Sequence, residues 1–384
     1  MQVHLVQHST QLPYPGLSSS ILEVSRCECK DDEQDYPVVN LAIRGTNMAV
    51  MVGRASLQEA ESPNEFSWTG HLSFWNWKTG EKKGERINIP DKHKGMVFLR
   101  EDVLVLGRAL DLCLDIYHIP ASTPPAGDND IHLVEQLGLP KIKQEFRDDL
   151  LYDIDISFGD NPTSVTSFTE CFEPKMTRLF TTDSLSSIIV INLKVQDKYQ
   201  MNRYFAFITH HRTLLDRADA AISRYNKGSE GGVVPSLDPE VSWEEWGPDA
   251  TRMFYRNERY LDAQAAPCGT RYLVQRGNEI EVFDFSQADS PHDDQARQTE
   301  PSSGQNENQK PSNLRPYAEQ GDDPACQSDC LQDVVHTKLP FVCQTIEKKI
   351  DGIDMEDWEL MYVDQSRIVG LKVSESFVIV PNNA

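Results

Sequence analysis

Two groups of cysteine and histidine side chains have the right chemistry to bind a metal ion. Cys27 and Cys29 are separated by one residue, and Cys326, Cys330 and His336 form a second group further along the chain. Thiolate and imidazole are zinc ligands, but a structural zinc site needs C-x2-C pair spacing and a second half, and neither group has them. We therefore predict no metal site and no cofactor.

The short motifs of common enzymes are not found in the sequence. It contains no G-x-S-x-G nucleophile elbow, no G-x-x-x-x-G-K-[ST] phosphate loop and no H-E-x-x-H metal helix. We predict that the chain is not an enzyme. The alternative is a propeller-fold hydrolase whose ionisable residues converge on a central channel from distant parts of the chain, an arrangement that one sequence does not reveal.

The most specific local motif is VSWEEWGPDATRMF, residues 241–254. Trp243 and Trp246 flank two acids, the next Gly-Pro pair predicts a turn, and Arg252 follows it. Paired tryptophans with an arginine are typical of interaction hot spots, but aromatic side chains also bury large area as structural plugs. We favour the plug, with Arg252 stacked on it or donating to loop carbonyls. Trp243, Trp246 and Arg252 are nevertheless the candidate partner-binding residues.

Alternating apolar and polar residues predict the elements that position this motif. His71–Trp77 places Leu72 and Phe74 on one face, Lys78–Gly80 predicts a tight turn, and Glu85–Ile89 resumes the alternation. The same patterns or short apolar runs predict strands at Val38–Ile43, Met48–Val52, Met96–Leu99, Val103–Leu106, Leu112–Ile119, Ile131–Leu139, Leu151–Phe158, Thr177–Thr182, Ser187–Val195, Tyr204–Ile208, Val334–Thr345, Arg367–Val373 and Phe377–Val380.

A four-residue signature, apolar-apolar-polar-apolar, recurs at predicted strand ends. It occurs at Phe74–Trp77, Ile116–Ile119, Val190–Leu193 and Val282–Phe285. If one divergent copy lies in each of the two long intervals, with 131–139 and 151–158 as the remains of one, the step approaches the roughly 40 to 50 residues of a propeller blade. We predict an all-β, β-propeller-like fold of about six to seven irregular blades. An irregular β-sandwich or split β fold is the alternative.

Three segments depart from the β pattern. Thr213–Tyr225 has apolar residues at helical spacing and predicts one short helix on the sheet edge. Residues 286–330, with nine acids and three bases, have few large apolar side chains and predict a disordered acidic insertion. Residues 1–36 predict an irregular lead-in, so that the propeller-like domain spans 37–384.

The charge balance restricts the partners. Sixty acidic against 37 basic residues give a net charge of −23, which repels nucleic-acid phosphates and anionic lipid head groups. No run of 18 apolar residues and no basic start followed by an apolar segment occurs. We predict an intracellular protein, cytoplasmic or nuclear, that binds neither nucleic acid nor membrane.

Three motifs together resemble a known family. They are WNWKTG at 75–80, the Trp243–Phe254 motif and Tyr362–Lys372, and in this order they resemble the C-terminal region of mushroom-type fungal F-box proteins. The likeness covers most of residues 38–380. In that family an F-box helix bundle docks on Skp1 of a cullin-based ubiquitin ligase, and the propeller-like remainder is thought to hold the substrate.

This resemblance implies a non-enzymatic protein-interaction domain, with the substrate receptor of an F-box-type ubiquitin ligase as its specific form. No Leu-Pro-x-Glu/Asp opening of an F-box precedes Val38. That departure argues against Skp1 as a partner of these residues. The expected partner is another protein, whose identity the sequence does not reveal.

Overall fold

The computed structural model describes the chain in separate stretches. These are residues 2–4, 21–23, 36–56, 67–89, 95–109, 111–120, 131–143, 151–158, 186–196, 202–230, 240–257, 264–267, 269–276, 279–286, 314–315, 330–347, 360–363, 368–372 and 375–379. The described residues form five sheets of four or five strands, one two-stranded ribbon and two helices.

The ribbon comes first in the chain and sheet I follows it. The ribbon pairs β1 (Gln2–His4) with β2 (Ile21–Glu23) in antiparallel register. Sheet I is an antiparallel meander of β3 (Tyr36–Arg44), β4 (Asn47–Ser56), β5 (Ser67–Asn76) and β6 (Glu81–Ile89). Gly45 (φ 58°) and Gly80 (φ 74°) turn the chain between strands, because glycine adopts positive φ without a steric cost. The turn predicted at 78–80 is confirmed.

Sheet II repeats the meander. Its strands are β7 (Met96–Arg100), β8 (Val103–Arg108), β9 (Cys113–His118) and β10 (His132–Gly138). A register shift between Leu133 and Glu135 interrupts the pairing of β10 with β9. The extra residue at such a bulge changes the direction of nearby side chains.

Sheet III carries both helices between its third and fourth strands. Its strands are β11 (Leu151–Phe158), β12 (Ile188–Gln196), β13 (Asn202–His210) and β15 (Thr251–Asn257). Between β13 and β15 the chain forms α1 (His211–Glu230), β14 (Glu240–Val241) and α2 (Trp243–Ala250). Strand β14 pairs in parallel with β10, so this excursion adds a fifth strand to sheet II.

Sheets IV and V use the remaining described strands. Sheet IV has the order β17 (Arg271–Arg276), β18 (Glu279–Asp284), β20 (Val342–Glu347), β19 (Leu314–Arg315), and sheet V has the order β16 (Gln264–Ala266), β21 (Leu360–Val363), β22 (Ile368–Lys372), β23 (Glu375–Ile379). Strand β17 lies beside β16 and β21. Sheets IV and V are therefore neighbours.

The sheets pack on one another in chain order. Leu72 and Phe74 of sheet I share a core with Phe98, Leu104 and Leu106 of sheet II, and each of these side chains is at most 3% exposed. Burying one such side chain contributes roughly 1.5–3 kcal/mol relative to exposing it. This apolar contact therefore fixes the two sheets against each other.

Strand β12 shows how sheet III joins its two neighbours. Ile189 and Ile191 lie in the core shared with sheet II, whereas Ile188 and Val190 lie in the core shared with sheet IV. A strand covered on both faces has a continuous apolar run instead of an alternation. This explains the sequence IIVINL at the start of β12.

The structure confirms a β-dominated fold and corrects several details. Five sheets with four or more strands are described, so the predicted six to seven blades are not confirmed. The four signature copies occur in four different sheets, but on the third strand of sheets I and II and the second strand of sheets III and IV. They are not equivalent blade positions. The runs at 131–139 and 151–158 belong to sheets II and III, not to one divergent copy.

The prediction of one short helix was wrong. The described residues contain two helices, and α1 has 20 residues, with Leu214, Ala218 and Ala221 on its apolar face. The predicted disordered insertion at 286–330 lies mostly outside the described residues. Inside that range, β19 pairs with β20 and Cys330 is buried, so these positions are ordered. Most of the 1–36 lead-in and the strand at 177–182 also lie outside the described residues, and the domain division at residue 36 stays a prediction.

Candidate functional site

Trp243 and Trp246 lie on α2 and not on a loop, and Arg252 lies on β15. Glu244 and Glu245 occupy the first turn of this helix, where carboxylates interact favourably with the positive end of the helix dipole. The Gly-Pro pair predicted a turn, but Gly247 and Pro248 lie inside α2. The ring of Trp243 occupies the space that a Cβ on residue 247 would need. Glycine is therefore required here by packing.

Both tryptophans are buried. Trp243 is 6% and Trp246 3% exposed. The indole Nε1 of Trp246 donates to the carbonyl of Gly138 at 2.7 Å, and its ring meets that of Trp243 edge-on at 5.4 Å. Trp243 in turn packs edge-on against Phe207 at 5.4 Å. Trp243 and Trp246 pack in the core between sheets II and III, which agrees with the plug interpretation.

Arg252 is 9% exposed and ties a distant segment to sheet III. Its Nε donates to the Leu339 carbonyl at 2.9 Å, and its guanidinium lies over the Phe341 ring at 5.1 Å. The backbone N–H of Leu339 also donates to the Thr251 carbonyl at 3.0 Å. The predicted bond to a loop carbonyl is thus confirmed, whereas the guanidinium stacks on a phenylalanine and not on the tryptophans.

The structure therefore does not bring the three candidate residues together as one open surface. Trp243 and Trp246 share the core between sheets II and III, while Arg252 contacts residues 339–341. Each presents less than a tenth of its surface. Direct contact between these side chains and a partner stays a prediction, and their packing gives them a structural role.

A second cluster, which the sequence did not indicate, joins α1 to sheet II. The Glu135 carboxylate, 2% exposed, accepts from Arg224 at 2.7 Å and Arg217 at 3.3 Å. The guanidinium of Arg100 donates to Asp102 and Asp219 at 2.6 and 2.8 Å. These ion pairs dock the polar sides of the helix on the sheet. Only the spacing of acids and arginines on α1 could have suggested them.

The pKa shifts in this cluster follow from the same contacts. Burial acts to raise the pKa of Asp102, but the hydrogen bonds and charge of Arg100 outweigh it and hold the pKa below its ordinary value. Burial lowers the pKa of His118, which lies 3.8 Å from Asp102. The Asp102 shift therefore comes mainly from Arg100 of the same sheet, and the His118 shift mainly from burial.

The Cys113 thiol lies next to charged side chains of sheet II. Its sulfur accepts from Arg108 Nε at 3.3 Å and lies 3.7 Å from the buried carboxylate of Asp115. Burial, aided by the Asp115 charge, raises the thiol pKa to about 12. A thiol that stays protonated at neutral pH is a poor nucleophile. This polar group is therefore suited to packing and not to covalent catalysis.

The candidate metal ligands do not converge where they are described. Cys330 is buried and His336 exposed, while Cys27, Cys29 and Cys326 lie outside the described residues. Within the described stretches, no group of three or more histidine, cysteine or acidic side chains could hold a metal ion.

Neither of the two described helices combines the length and the apolar character needed to cross a membrane.

Three of the four exposed large apolar side chains of the described residues form a row on β3. Val39, Leu41 and Ile43 are 42%, 48% and 48% exposed. They pair with Val52, Val50 and Met48 of β4, which are at most 6% exposed. The other face of sheet I, with Leu72 and Phe74, packs on sheet II. This row, the β3 row, therefore lies on the face that points away from sheet II.

Comparison with known proteins adds no relative: no protein-family model, no curated protein and no solved structure matches the chain. The likeness to fungal F-box proteins therefore stays a prediction based on its three motifs.

Proposed function

We propose that the chain is a non-enzymatic protein-interaction scaffold whose binding surface is the β3 row. Its occupant is an extended segment of a partner protein with apolar side chains at alternate positions. The observation that carries this proposal is the exposure of three branched apolar side chains, 42–48% each, on one face of one strand. Exposed apolar rows of this kind are typical of interaction surfaces.

The spacing of the row supports an extended occupant. Val39, Leu41 and Ile43 alternate along β3, so neighbouring side chains are about 7 Å apart on the same face. An extended partner segment has the same period. Covering three half-exposed side chains contributes on the order of 3 kcal/mol, so further contacts are needed for tight binding.

Strand β4, which pairs with β3, makes the surface rigid. Met48, Val50 and Val52 form a buried cluster with Trp75. Strand β3 lies at the edge of sheet I, next to this packed strand. A surface that is already ordered loses little conformational entropy when a partner binds.

The proposal includes a propeller-like arrangement of sheets I–V. Its support is the packing of successive sheets in chain order, through separate apolar cores, as blades pack in a propeller. In the F-box family that the sequence resembles, the partner of such a region is a ligase substrate, and we extend that role to this chain as part of the proposal. Skp1 is not part of it. The hydrolase stays an alternative prediction.

The test compares Leu41→Asp with Val334→Asp. Val334 is the matched control, because it is a large apolar residue with 44% exposure outside the row. Proteins captured by the wild-type chain are identified, purified and titrated against each variant by calorimetry. We expect Leu41→Asp to weaken binding at least about tenfold, from loss of apolar contact and burial of a charge, and Val334→Asp to have little effect.

Two results would overturn the proposal. One is that no captured protein binds the purified wild-type chain saturably. The other is that both variants weaken binding equally, which would mean that the β3 row is not the contact surface. Circular dichroism of both variants tests whether they are folded.

A further inference from the structure

The hairpin between β5 and β6 presents an aromatic and basic surface. It consists of Trp77, Lys78 and Lys82, which we call the basic hairpin. Trp77 is partly buried, and both lysines are exposed. The Lys78 ammonium lies 5.7 Å from the Trp77 ring centroid, within cation–π range. Lys82 lies directly across from Trp75, on the face against which Trp77 packs.

The Trp77 indole is held in place. Its Nε1 donates to the Gly45 carbonyl at 2.8 Å, and its backbone N–H donates to the Thr46 carbonyl at 3.1 Å. The turn beside it is also ordered, because the Asn76 side-chain oxygen accepts from the backbone N–H of Lys78 at 3.1 Å. A tryptophan that is fixed and still partly exposed is typical of interaction hot spots.

The two lysines differ from several arginines of the described structure. Arg100, Arg108 and Arg271 each pair with an acid. Neither Lys78 nor Lys82 forms an ion pair with an acid in the described stretches. In a chain of net charge −23, the hairpin is a local positive surface, because Lys78, Lys82 and Lys83 outnumber Glu81, the one described acid among residues 76–83.

We propose that the basic hairpin binds an acidic peptide segment of a partner protein. Carboxylates of the segment pair with Lys78 and Lys82, and an apolar or aromatic side chain of the segment covers the open part of the Trp77 ring. The hairpin shares a face of sheet I with the β3 row, since Ile43, Met48, Trp75 and Lys82 are paired across its four strands, but the proposed contacts use different side chains. The basic hairpin and the β3 row together are consistent with a protein that uses several surfaces to hold its partners.

The charges favour a peptide over a nucleic acid. A nucleic acid presents a long line of phosphates, and it would meet the strong overall negative charge of this chain over many contacts. A short acidic segment meets mainly the local lysines, because salt screens charges beyond about 8 Å at physiological ionic strength.

The hairpin favours contact through side chains over strand addition. Between Leu72 and Phe74 the register of β5 against β6 shifts. The extra residues lie on β6, the edge strand of sheet I, which is therefore bulged. A bulge disrupts the regular edge that an added strand needs.

The probe is a fluorescein-labelled peptide of six glutamates followed by one tryptophan, measured by fluorescence anisotropy with the full chain. The test variant is Lys78→Glu with Lys82→Glu. The control is Lys141→Glu with Lys143→Glu, two lysines on the described chain beyond β10. Both variants change the net charge equally, so a difference between them reports the local surface.

We expect the hairpin variant to bind the peptide at least about tenfold more weakly than wild type, since two attractive pairs become repulsive. The control should bind within about twofold of wild type. Leu41→Asp should not change peptide binding, so failure here and failure of the β3 proposal are distinguishable. Trp77→Phe, which keeps an aromatic ring, should bind more tightly than Trp77→Ala.

Three outcomes would overturn the inference. In the first, the wild type does not bind the peptide at physiological ionic strength. In the second, both double variants lose affinity equally. In the third, single-stranded DNA binds the hairpin more tightly than the peptide does. The second result would indicate overall charge, and the third a nucleic-acid surface.

Discussion

Replacing Trp246 by alanine separates its packing role from direct partner contact. The side chain is 3% exposed and its Nε1 donates to the Gly138 carbonyl. Removing it leaves a cavity beside Trp243 and a carbonyl without its donor. Truncating a buried tryptophan typically costs about 3–5 kcal/mol. At roughly 2 °C per kcal/mol for a chain of this size, we expect Tm to fall by about 6–10 °C.

The assay is thermal unfolding followed by far-ultraviolet circular dichroism. Trp246→Phe is the graded variant: it keeps most of the ring but leaves the Gly138 carbonyl unpaired, at about 1–3 kcal/mol. Its Tm should lie between those of Trp246→Ala and wild type. Leu41→Ala is the control, because its 48% exposed side chain contributes little to the core. If Trp246→Ala melts at the wild-type temperature, the packing argument is refuted and Trp246 is free to serve a partner.

Three further predictions concern ionisable groups. Glu135→Gln removes the charge that holds Arg224 and should lower Tm by a few degrees, from about 1–3 kcal/mol; an unchanged melting curve would contradict the docking role of this carboxylate. Burial acts to raise the pKa of Asp284, but hydrogen bonds from Ser286 and the charge of Arg271 outweigh it, so the folded pKa lies below the ordinary 3.8. The unfolded chain therefore binds this proton more readily, the stabilisation is present above that value, and it is lost as pH falls through the lower folded pKa. Asp284→Asn should flatten the fall of Tm below about pH 4, and a steeper fall would show the sign to be wrong. Because burial raises the thiol pKa of Cys113 to about 12, iodoacetamide at neutral pH should leave it unmodified in the folded protein and alkylate it after unfolding, as mass spectrometry would show.

Local sequence patterns were sufficient for much of the β structure. The strands at 38–43, 48–52 and 71–77 were predicted from apolar runs and alternation, and the turn at 78–80 from its glycine. These features depend on neighbouring residues, because side chains alternate along a strand and few residues adopt positive φ. The helical spacing at 213–225 likewise predicted the centre of α1.

Other features depend on residues that are far apart in the chain. Gly247 resembles a turn residue in sequence, and only the ring of Trp243 beside it explains why it lies within a helix. The role of Arg252 depends on Leu339 and Phe341, which follow almost ninety residues later. Such contacts leave no local pattern, so no window of sequence could indicate them.

By itself, the sequence determined many of the strands, the tight turn at 78–80 and the large negative charge of the chain. Only the tertiary structure decided which apolar residues are buried. Leu41 and Leu72 both lie in apolar strands of sheet I, yet Leu41 is 48% exposed and Leu72 fully buried. The physical reason is that burial depends on which face meets a neighbouring sheet, and that neighbour is contributed by a distant part of the chain.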